Sequence, residues 1–475
     1  MSEEMGITVK KTEFSEWYTQ VVQKAGLVDT RYGIQGFLVH RPWAMRIIKR
    51  LYQLFEEELD CTGHEPTLFP LLIPEENLKK EEEHFQFAPE VFWVTEAGSD
   101  KLEKRYALRP TSETAIYPMY ALWVRSYRDL PLKCYQSVSV YRYEPTTRPF
   151  LRGREFLWIE AHDVFVSHSK ALEQIKQDMG ICEKVIGDKL GLSFKFFKRP
   201  KWDKFKGAED TYAADCMMPE GRVNQIASTH DLGQNFARAF GVNYKDESER
   251  EQVAWQTTFG MGIWRIMASL VAVFGDDKGL VLPPEVAPIQ VVIVPIYRKG
   301  EGEEVIKKCV QLAESLKKFR VHIDKRDEKT PGFKFNEWEL FGVTIRIEMG
   351  KREANEGKVT IARRDTGEKT VALEKDCETA VAKELSLIFH GLKEKSLKLS
   401  STAEAKTMDE IMNAKTLFIK TQLCSSNMDG EECAKKLKEI GLHVRGTLLD
   451  RENPKGTCSI CGKKANEVVY LARAY

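Results

Sequence analysis

The alternation of apolar and polar residues is most regular in a central stretch, residues 133–166. Val and Tyr are frequent in the first half of this stretch, and Phe, Trp and Val occur in the second, which predicts two strands; two prolines and a glycine between them predict a loop. Side chains two positions apart share one face of a strand. One face of the second strand is therefore apolar, and the other is mixed: Arg154, Phe156, Trp158, Glu160 and His162.

The mixed face has two interpretations. A half-buried antiparallel sheet normally exposes one face to water, so these residues can form an ordinary polar surface. The same residue types also suit a nucleotide and a zwitterion, because guanidinium groups bind phosphate, a ring stacks on a base and a carboxylate accepts from ammonium. Arg142 and Glu144 point the same way on the first strand. The pattern by itself leaves both interpretations open.

Helical periodicity flanks this hairpin. Apolar residues recur every three or four positions in several stretches, and Pro42 suits the first turn of one of them. Helices are therefore predicted over residues 11–27, 42–59 and 169–191. Residues 64–74 predict one strand that ends in prolines, which favours a sheet edge or a core filler.

A Thr-Ser-Glu sequence precedes a further apolar stretch. Thr111 or Ser112 can cap a helix there, and Glu113 is favourable in the first helical turn. The residues alone favour this capping role over a binding role.

A glycine-bearing strand that enters an apolar helix is predicted near residues 257–275. Apolar residues on nearly all sides of the helix indicate that it is buried. An unpaired guanidinium at Arg265, in its first turn, would be costly. Gly260 and Gly262 allow a close backbone approach just before it. We therefore expect Arg265 to face an anionic or aromatic partner.

Strands and helices alternate after a proline-rich linker at 281–288. This alternation predicts an open, largely parallel sheet. The predicted strands are 289–297, 320–324, 343–350 and 358–365, and the predicted helices are 303–318, 333–341 and 378–391.

Length and composition set broad limits. The 475 residues suffice for about three domains. Charges are balanced, with 72 Lys and Arg against 71 Asp and Glu, so any nucleic-acid contact has to be local. The acidic start predicts no secretory signal, and no apolar run approaches the ~20 residues of a membrane span. These features favour a cytoplasmic location, where the ten cysteines stay reduced.

Four of the cysteines lie in the last part of the chain, at Cys424, Cys433, Cys458 and Cys461. The last two form a Cys-x-x-Cys turn, in which both thiolates can face one ion. A redox pair or a chance grouping is the alternative. Four thiols in a small module of a reduced protein favour a structural zinc site.

The central hairpin resembles the second signature motif of the class II aminoacyl-tRNA synthetases. The residues that carry the resemblance are 141–144 before the loop, and Arg152, Phe156 and Glu160 after it. Tyr141 stands where the family has Phe. Gly260 to Arg265 is similar to the third motif, and Pro70 fits the first.

The complete Arg-Pro-Thr-Ser-Glu sequence at 109–113 narrows the resemblance to the prolyl-tRNA synthetases, and the cysteines and the final Tyr475 to their archaeal/eukaryotic type. The resemblance implies an α/β protein in three parts. Residues 1–282 would be a class II catalytic domain, an α+β antiparallel sheet with helices. Residues 283–396 would be an α/β anticodon-binding domain, and residues 397–475 a small α/β zinc-binding domain. It also implies a homodimer.

The resemblance implies a role for each site residue. Arg142 would bind the α-phosphate of ATP, Glu144 the adenine amino group, and Phe156 and Arg265 would sandwich the base. Mg²⁺ would accompany ATP, and Arg142, Arg152 and Arg265 would stabilise the transition state. The implied ATP-binding set is Arg142, Glu144, Arg152, Phe156, Gln225 and Arg265. The implied proline-binding set is Thr111, Glu113, Arg142, Trp158, Glu160, His162, Phe205, Ser228 and His230.

The implied anticodon-binding residues are Glu339, Arg346 and Lys351. Arg suits the Hoogsteen edge of guanine and Glu suits its amino group. Ordinary surface charge is the alternative for each of the three. The basic segment 195–206 is likewise compatible with RNA contact or with a solvated edge.

The implied function is activation of L-proline with ATP and transfer of the prolyl group to tRNA(Pro). The 93 residues from 167 to 259 leave no room for an inserted editing domain. Two other functions stay open: an inactive synthetase-like regulator that binds tRNA, and an adenylating enzyme with a different acceptor. No membrane partner is expected.

Overall fold

The structure, a computed structural model, describes residues 6–85, 90–298, 301–414 and 418–475. The helices are α1 (Phe14–Lys24), α2 (Pro42–Cys61), α3 (Glu75–Phe85), α4 (Glu113–Trp123), α5 (His168–Cys182), α6 (Asn235–Phe240), α7 (Ile263–Phe274), α8 (Glu303–Ser315), α9 (Pro331–Leu340), α10 (Lys351–Glu356), α11 (Cys377–Leu399), α12 (Met408–Asn413) and α13 (Glu431–Glu439). A π-helical segment, Glu183–Lys189, continues α5.

The strands before the linker are β1 (Val28–Asp29), β2 (Val39–His40), β3 (Glu65–Pro66), β4 (Leu72–Pro74), β5 (Trp93–Ala97), β6 (Asp100–Leu108), β7 (Leu132–Tyr141), β8 (Glu155–Phe165), β9 (Lys195–Lys198), β10 (Asp210–Met217), β11 (Arg222–Gly233), β12 (Asn243–Lys245), β13 (Glu251–Val253) and β14 (Trp255–Met261). Those after it are β15 (Val291–Ile296), β16 (Val321–Ile323), β17 (Ile345–Gly350), β18 (Lys358–Arg363), β19 (Lys369–Leu373), β20 (Thr402–Glu404), β21 (Phe418–Leu423), β22 (His443–Gly446) and β23 (Glu467–Ala474).

The predicted hairpin is the centre of the largest sheet. β7 and β8 pair antiparallel, and β14 and β11 continue the sheet from β8. The apolar face of β8 is buried, with Ile159 and Ala161 at 0% exposure in the core that α2 and α7 complete. Burying one large aliphatic side chain contributes roughly 1.5–3 kcal/mol. The mixed face therefore turns to the other side of the sheet, as the alternation predicts.

The single strand predicted over residues 64–74 is wrong. Two short strands occupy it, and they belong to different sheets: β3 pairs with β7, and β4 pairs with β6. Proline has no N–H to donate to a strand ladder, so Pro66 and Pro70 interrupt continuous pairing. The predicted helices around it exist, with α1 shorter than expected and α5 passing into the π-helical segment.

The sheet after the linker is mixed rather than largely parallel. Its order is β16-β15-β17-β18-β19; the first three strands are parallel, and β18 and β19 are antiparallel to their neighbours. A parallel crossover needs about a dozen residues or more. Only residues 351–357 separate β17 from β18, and α10 within them ends at Gly357 with a φ of 63°. The short connection returns the chain antiparallel.

The last part of the chain extends the central sheet. β20, β21 and β22 assemble with β23, and β23 pairs in parallel with β11, where Arg222 and Val223 lie opposite Arg473 and Ala474. The final strand thus brings residue Tyr475 beside the central sheet. Across the described ranges, every helix is too short or too polar to cross a bilayer.

Candidate active site

Strand register gathers the mixed face into two rows across three strands. Glu160 on β8 lies opposite Gly260 on β14, which lies opposite Ser228 on β11. The next row places His162, Thr258 and His230 side by side. Because Gly260 has no side chain, the first row has a gap between Glu160 and Ser228. A Cβ added at Gly260 would contact the Trp158 ring at 3.5 Å, so the indole borders this gap.

A buried carboxylate, Glu160, organises one end of the site. Gln136 Nε2 donates to its Oε1 at 2.8 Å, and the Ser112 main-chain N–H donates to its Oε2 at 3.2 Å. The Ser112 hydroxyl donates to Oε1 as well. Ser112 does precede α4, but its side chain makes no capping bond to the helix. The capping role favoured by the residues alone is therefore wrong, and the Thr-Ser-Glu loop instead fixes Glu160.

A second buried carboxylate lies close by. The Thr111 hydroxyl donates to Glu113 Oε2 at 2.5 Å and lies 3.4 Å from Glu160 Oε2. His162 Nε2 is 3.1 Å from the same Glu160 oxygen, and Tyr117 Oη is 3.1 Å from His162 Nδ1. Ligand atoms of Glu113, Glu160 and His162 all lie within 4.8 Å of one another. We call Glu113, Glu160 and His162 the acidic cluster.

The charges of this cluster are unequal. Burial raises the pKa of Glu113 above its usual 4.5. Burial is also the largest single influence on Glu160 and acts in the same direction. The hydrogen bonds from His162, Ser112 and Gln136 and the charge of His162 together outweigh it, so the pKa of Glu160 is lowered. Burial alone would lower the pKa of His162; the bond to Glu160 and the charge of Glu113 raise it instead. Both shifts favour an ion pair between Glu160 and His162, and a further cation would favour the ionised form of Glu113.

The opposite wall is formed by the Phe205 and His230 rings, whose centroids are 4.9 Å apart. His230 Nδ1 lies 2.9 Å from Thr211 Oγ1 and its Nε2 lies 3.0 Å from Ser228 Oγ. Burial, and then the charge of Arg199, lower the pKa of His230 to about 3. This histidine is neutral and held by two hydroxyl groups, so it shapes the wall without adding charge.

Arginines occupy the adjacent part of the same face. The Arg142 guanidinium lies 5.3 Å from the Phe156 ring centroid and 5.5 Å from that of Trp158, and its Nε donates to Pro110 O at 3.0 Å. The cation over the Phe156 ring in this structure is therefore Arg142. The sandwich of adenine between Phe156 and Arg265 stays a prediction. Within the described residues, the buried Trp158 Nε1–H has no hydrogen-bond partner and can donate to a ligand.

Arg265 and Arg152 have few close carboxylates to balance their charges. Arg265 donates to the main-chain carbonyl of Gln225 at 3.1 Å. Burial, followed by the charges of Arg142 and Arg152, lowers the pKa of Arg265 to about 10. Arg152 lies 3.8 Å from Glu144 and donates to the main-chain oxygen of Tyr475 at 3.1 Å. We call Arg142, Arg152 and Arg265 the arginine cluster; it is suited to bind a polyanion.

Two of the three anticodon candidates, Glu339 and Arg346, lie in contact, and the third, Lys351, lies apart from them. Arg346 is bonded to Glu339 at 2.9 Å and to Glu348 at 3.0 Å, and its guanidinium lies 4.1 Å from the Phe335 ring centroid. Lys351 is exposed at the first residue of α10, and among the described contacts it does not join this group. The structure brings two of the three residues together.

The four tail cysteines converge from three elements. Cys424 follows β21, Cys433 lies on α13, and the Cys-x-x-Cys turn of Cys458 and Cys461 precedes β23. Their sulfurs all lie within 4.8 Å of one another; Cys424 and Cys458 are 3.7 and 3.9 Å from Cys433. Four thiolates about 2.3 Å from one tetrahedral zinc ion are separated by about 3.8 Å. The donor set and spacing fit such an ion.

Some site residues were missed from the sequence. Gln136, Tyr117, Thr211 and Thr258 all line the site or hold its side chains. Their identities are ordinary for strands and helices. Only the pairing register and the docking of α4 reveal them. Gln136 had one usable signal, because it lies six positions before Arg142 and hence on the same face of the predicted strand.

The fold and these motifs define the class of protein. A family model described as "tRNA synthetase class II core domain (G, H, P, S and T)" matches residues 92–274, and one described as "Anticodon binding domain" matches residues 290–383. The protein is therefore a class II aminoacyl-tRNA synthetase.

Relatives narrow this class to one family. A proline--tRNA ligase of Thermofilum pendens is 55% identical over 99% of this chain and 100% of that protein, and one of Pyrococcus horikoshii is 40% identical over 98% of each. The chain belongs to the family of proline--tRNA ligases.

Solved structures of prolyl-tRNA synthetases share the fold of this chain. Giardia lamblia prolyl-tRNA synthetase in complex with prolyl-adenylate has a TM-score of 0.94 at 35% identity, covering 98% of this chain and 99% of that one. The enzyme of Cryptosporidium parvum, complexed with halofuginone and AMPPNP, has a TM-score of 0.93 at 34% identity, covering 99% and 100%.

Proposed function

We propose that the chain joins L-proline to ATP as prolyl-adenylate at the face described above, and then transfers the prolyl group to tRNA(Pro). The observation that carries the proposal is the adjacency of the acidic cluster and the arginine cluster on one sheet face, with Arg142 between them. An amino acid that becomes an acyl-phosphate needs this order of charges: its ammonium at carboxylates and its reacting carboxylate beside a phosphate. A relative was solved with prolyl-adenylate.

Glu113 is the group proposed to bind the proline nitrogen. The secondary ammonium of proline has two N–H donors, and Glu113 with the Thr111 hydroxyl provides oxygens at one position. Burial raises the pKa of Glu113, and the proline ammonium would favour its ionised form. The rings of Phe205, Trp158 and neutral His230 are proposed to provide apolar surface for the ring carbons of proline.

Activation needs positioning more than proton transfer. The proline carboxylate is already a nucleophile and attacks the α-phosphate, with diphosphate leaving. Arg142, which the Pro110 carbonyl holds in place, is proposed to stabilise charge on the reacting phosphate, and Arg152 and Arg265 on the leaving phosphates. Glu144 is proposed to accept from the adenine amino group.

Mg²⁺ is expected to arrive with ATP. It usually keeps phosphate and water ligands and one or two carboxylates. Glu144, 3.8 Å from Arg152, is a carboxylate beside the arginine cluster. When bound, Mg²⁺ neutralises phosphate charge.

Zinc is proposed for the four-cysteine site. Its role there is structural, because all four ligands come from the chain and leave no open position. The ion would tie α13 and the turn before β23 to β21, and so support the strand that reaches the catalytic sheet.

Transfer to tRNA requires a second binding surface. We propose that Arg346 and Glu339 read anticodon bases, with Lys351 on the nearby backbone. The ion pairs of Arg346 would exchange for base contacts on binding. In the segment 195–206, by contrast, Lys198 and Lys201 both pair with Asp210, so that segment is less suited to RNA.

A homodimer and a cytoplasmic location are also proposed. Apolar side chains are exposed around β3 and the end of α4, where Leu68 is 80% exposed, Leu122 56% and Trp123 45%. The Trp123 ring lies 5.7 Å from that of Phe69, which joins the two segments into one patch. Such a patch at a sheet edge suits burial against a second copy. Sedimentation analysis of the chain measures the assembly directly.

Two assays test the function. Proline-dependent exchange of labelled diphosphate into ATP reports activation, and aminoacylation of tRNA(Pro) reports transfer. We expect both. Exchange without transfer to tRNA would indicate an adenylating enzyme with another acceptor, and neither activity with intact tRNA binding would indicate a regulator. No editing activity is expected, because residues 167–259 are taken up by α5, α6 and the strands β9 to β14, of which β12 and β13 form a small sheet of their own and the other strands belong to the central sheet.

A further inference from the structure

Two buried arginines share one carboxylate beside the arginine cluster. Arg199 binds both oxygens of Asp215, at 2.9 and 2.8 Å, and Arg445 binds the same two oxygens at 2.7 and 3.0 Å. Asp215 is 0% exposed, Arg199 4% and Arg445 7%. Asp215 and Arg199 belong to the catalytic part of the chain, whereas Arg445 lies on β22 in the last part.

The arrangement depends on a close backbone approach. Thr447 and Lys198 are bridged by main-chain hydrogen bonds, and a Cβ at Gly446 would lie 2.0 Å from the Lys198 carbonyl oxygen. Gly446 also has a φ of 124°, which L side chains rarely adopt. This glycine therefore brings β22 against β9 and carries Arg445 to Asp215.

Arg199 connects Asp215 to the proposed ATP site through a hydrogen bond to Gln225. Its Nη2 donates to Gln225 Oε1 at 3.0 Å, and Gln225 lies opposite Asp215 in the pairing of β10 and β11. The bond decides the orientation of the Gln225 amide: its oxygen faces Arg199, so its NH₂ group is the end left for a ligand. The main-chain carbonyl of Gln225 accepts a hydrogen bond from Arg265.

Stability alone is a weak explanation for this cluster. Removing two arginines and a carboxylate from water is expensive, and replacing such a group by apolar residues is often neutral or stabilising. Arg199 also makes its hydrogen bond at a residue of the ATP-binding set, which a purely structural ion pair does not need.

We propose that Arg199 is a positioning residue for ATP, which fixes the amide of Gln225, and that Arg445 completes the nucleotide site from the C-terminal part of the chain by holding Arg199 on Asp215. The inference rests on the proposed placement of ATP at Gln225 and Arg265. It assigns the C-terminal region a part in the first reaction step, in addition to any role in holding zinc.

Either arginine can be replaced without leaving Asp215 unpaired, which makes the proposal testable by substitution. One carboxylate serves two arginines, so Arg199→Met or Arg445→Met leaves a neutral Arg–Asp pair and no unpaired buried carboxylate. Diphosphate exchange is measured as a function of ATP and of proline for both variants, for Gln225→Met and for the double variant Arg199→Met/Gln225→Met. Lys201→Met is the matched control, because Lys201 pairs with Asp210 in the same segment.

Arg199→Met is expected to raise the KM for ATP about tenfold, since a hydrogen bond to a charged group is lost, and to change the KM for proline less than twofold. Arg445→Met should shift the same constant in the same direction by about threefold. The double variant should be no worse than Gln225→Met, because both substitutions interrupt one interaction. Lys201→Met should match the wild-type chain.

The results that would overturn the inference can be distinguished from one another. If Gln225→Met raises the KM for ATP but Arg199→Met does not, or if their effects multiply, Arg199 does not act through Gln225. If Gln225→Met itself leaves the KM for ATP unchanged, the proposed ATP placement fails first. Equal loss of kcat in all variants, with both KM values unchanged, would assign the arginines a purely structural role.

Discussion

The acidic cluster and the arginine cluster lie on one sheet face but differ in how their charges are satisfied. Glu160 receives hydrogen bonds from Ser112 and Gln136 and is paired with His162. Arg265 donates to a main-chain carbonyl, and nearby arginines help to lower its pKa. One cluster is internally balanced apart from Glu113, whereas the three arginines of the other outnumber Glu144, the carboxylate beside Arg152. Under the proposed function, the first cluster is largely preformed for a small zwitterion, and the second gains its balancing charge from a polyphosphate.

Removing an arginine should have the largest effect. Arg142→Ala is expected to lower diphosphate exchange at least about a hundredfold, because a buried donor at a developing charge contributes about 3–4 kcal/mol to the barrier. Arg250→Ala, which removes an exposed arginine that pairs with Asp246, is the control. Exchange within a few-fold of wild type in a folded Arg142→Ala protein would contradict the role given to the arginine cluster.

Neutralising the unbalanced carboxylate should affect proline alone. Glu113→Gln is expected to raise the KM for proline about thirtyfold, since charge-assisted hydrogen bonds contribute roughly 1.5–3 kcal/mol, and to leave the KM for ATP nearly unchanged. The KM for proline should also depend on pH, in a direction that the pKa of Glu113 sets. The pKa of Glu113 is raised above 4.5, and the ammonium prefers the ionised carboxylate. The KM for proline should therefore fall as pH rises through that raised pKa.

The Glu113→Gln variant should lose this pH dependence. A KM for proline that is independent of pH in the wild-type chain, or that falls equally in the variant, would separate Glu113 from the proline nitrogen.

Substitution of Arg346 is expected to have a smaller effect, confined to the step that uses tRNA. Arg346→Ala should raise the KM for tRNA about tenfold, as one good guanine contact contributes about 1–3 kcal/mol, while exchange without tRNA stays unchanged. Lys278 and Lys369 still pair with Glu339 and Glu348 in this variant, so no buried carboxylate is left alone. Arg352→Ala, an exposed change on α10, is the control. Unchanged tRNA kinetics in Arg346→Ala would remove Arg346 from the anticodon surface.

The smallest effect on catalysis is expected at the cysteines. Metal analysis should find about one zinc ion per chain, and Cys458→Ser should lower that content and unfold the C-terminal part before the rest. The substitution Cys61→Ser, at an exposed cysteine outside the cluster, should change neither property. Reduced, chelator-free protein without zinc would refute the site.

How far the sequence predicts this molecule depends on the range of the interaction. Alternation along β8 is local, and it correctly separates Ile159 from Glu160. The choice between a polar surface and a ligand site depends on burial, which comes from α4 docking over the sheet. The capping interpretation of Ser112 fails for the same reason: a distant carboxylate, Glu160, competes for its hydroxyl. Sheet direction after β17 depends on the length of one connection.

The four cysteines were predictable as a group because few other arrangements suit four thiols, although Cys424 and Cys433 are separated by eight residues. The ion-pair cluster of Arg199, Asp215 and Arg445 was not predictable. Its members are far apart in sequence, each is a common surface residue, and Arg199 stands in a segment that reads as a basic edge. Only the approach of β22 at Gly446 brings them together.

The central claim is that one face holds proline at the acidic cluster and phosphate at the arginine cluster. A crystal structure of the chain with a non-hydrolysable prolyl-adenylate analogue tests it most directly. The account predicts the proline nitrogen within hydrogen-bond distance of Glu113, the phosphate mimic on Arg142, and adenine on Phe156 with Arg265 moved over it. A proline ring outside the wall of Phe205 and His230, or a phosphate mimic that Arg142 does not contact, would contradict it.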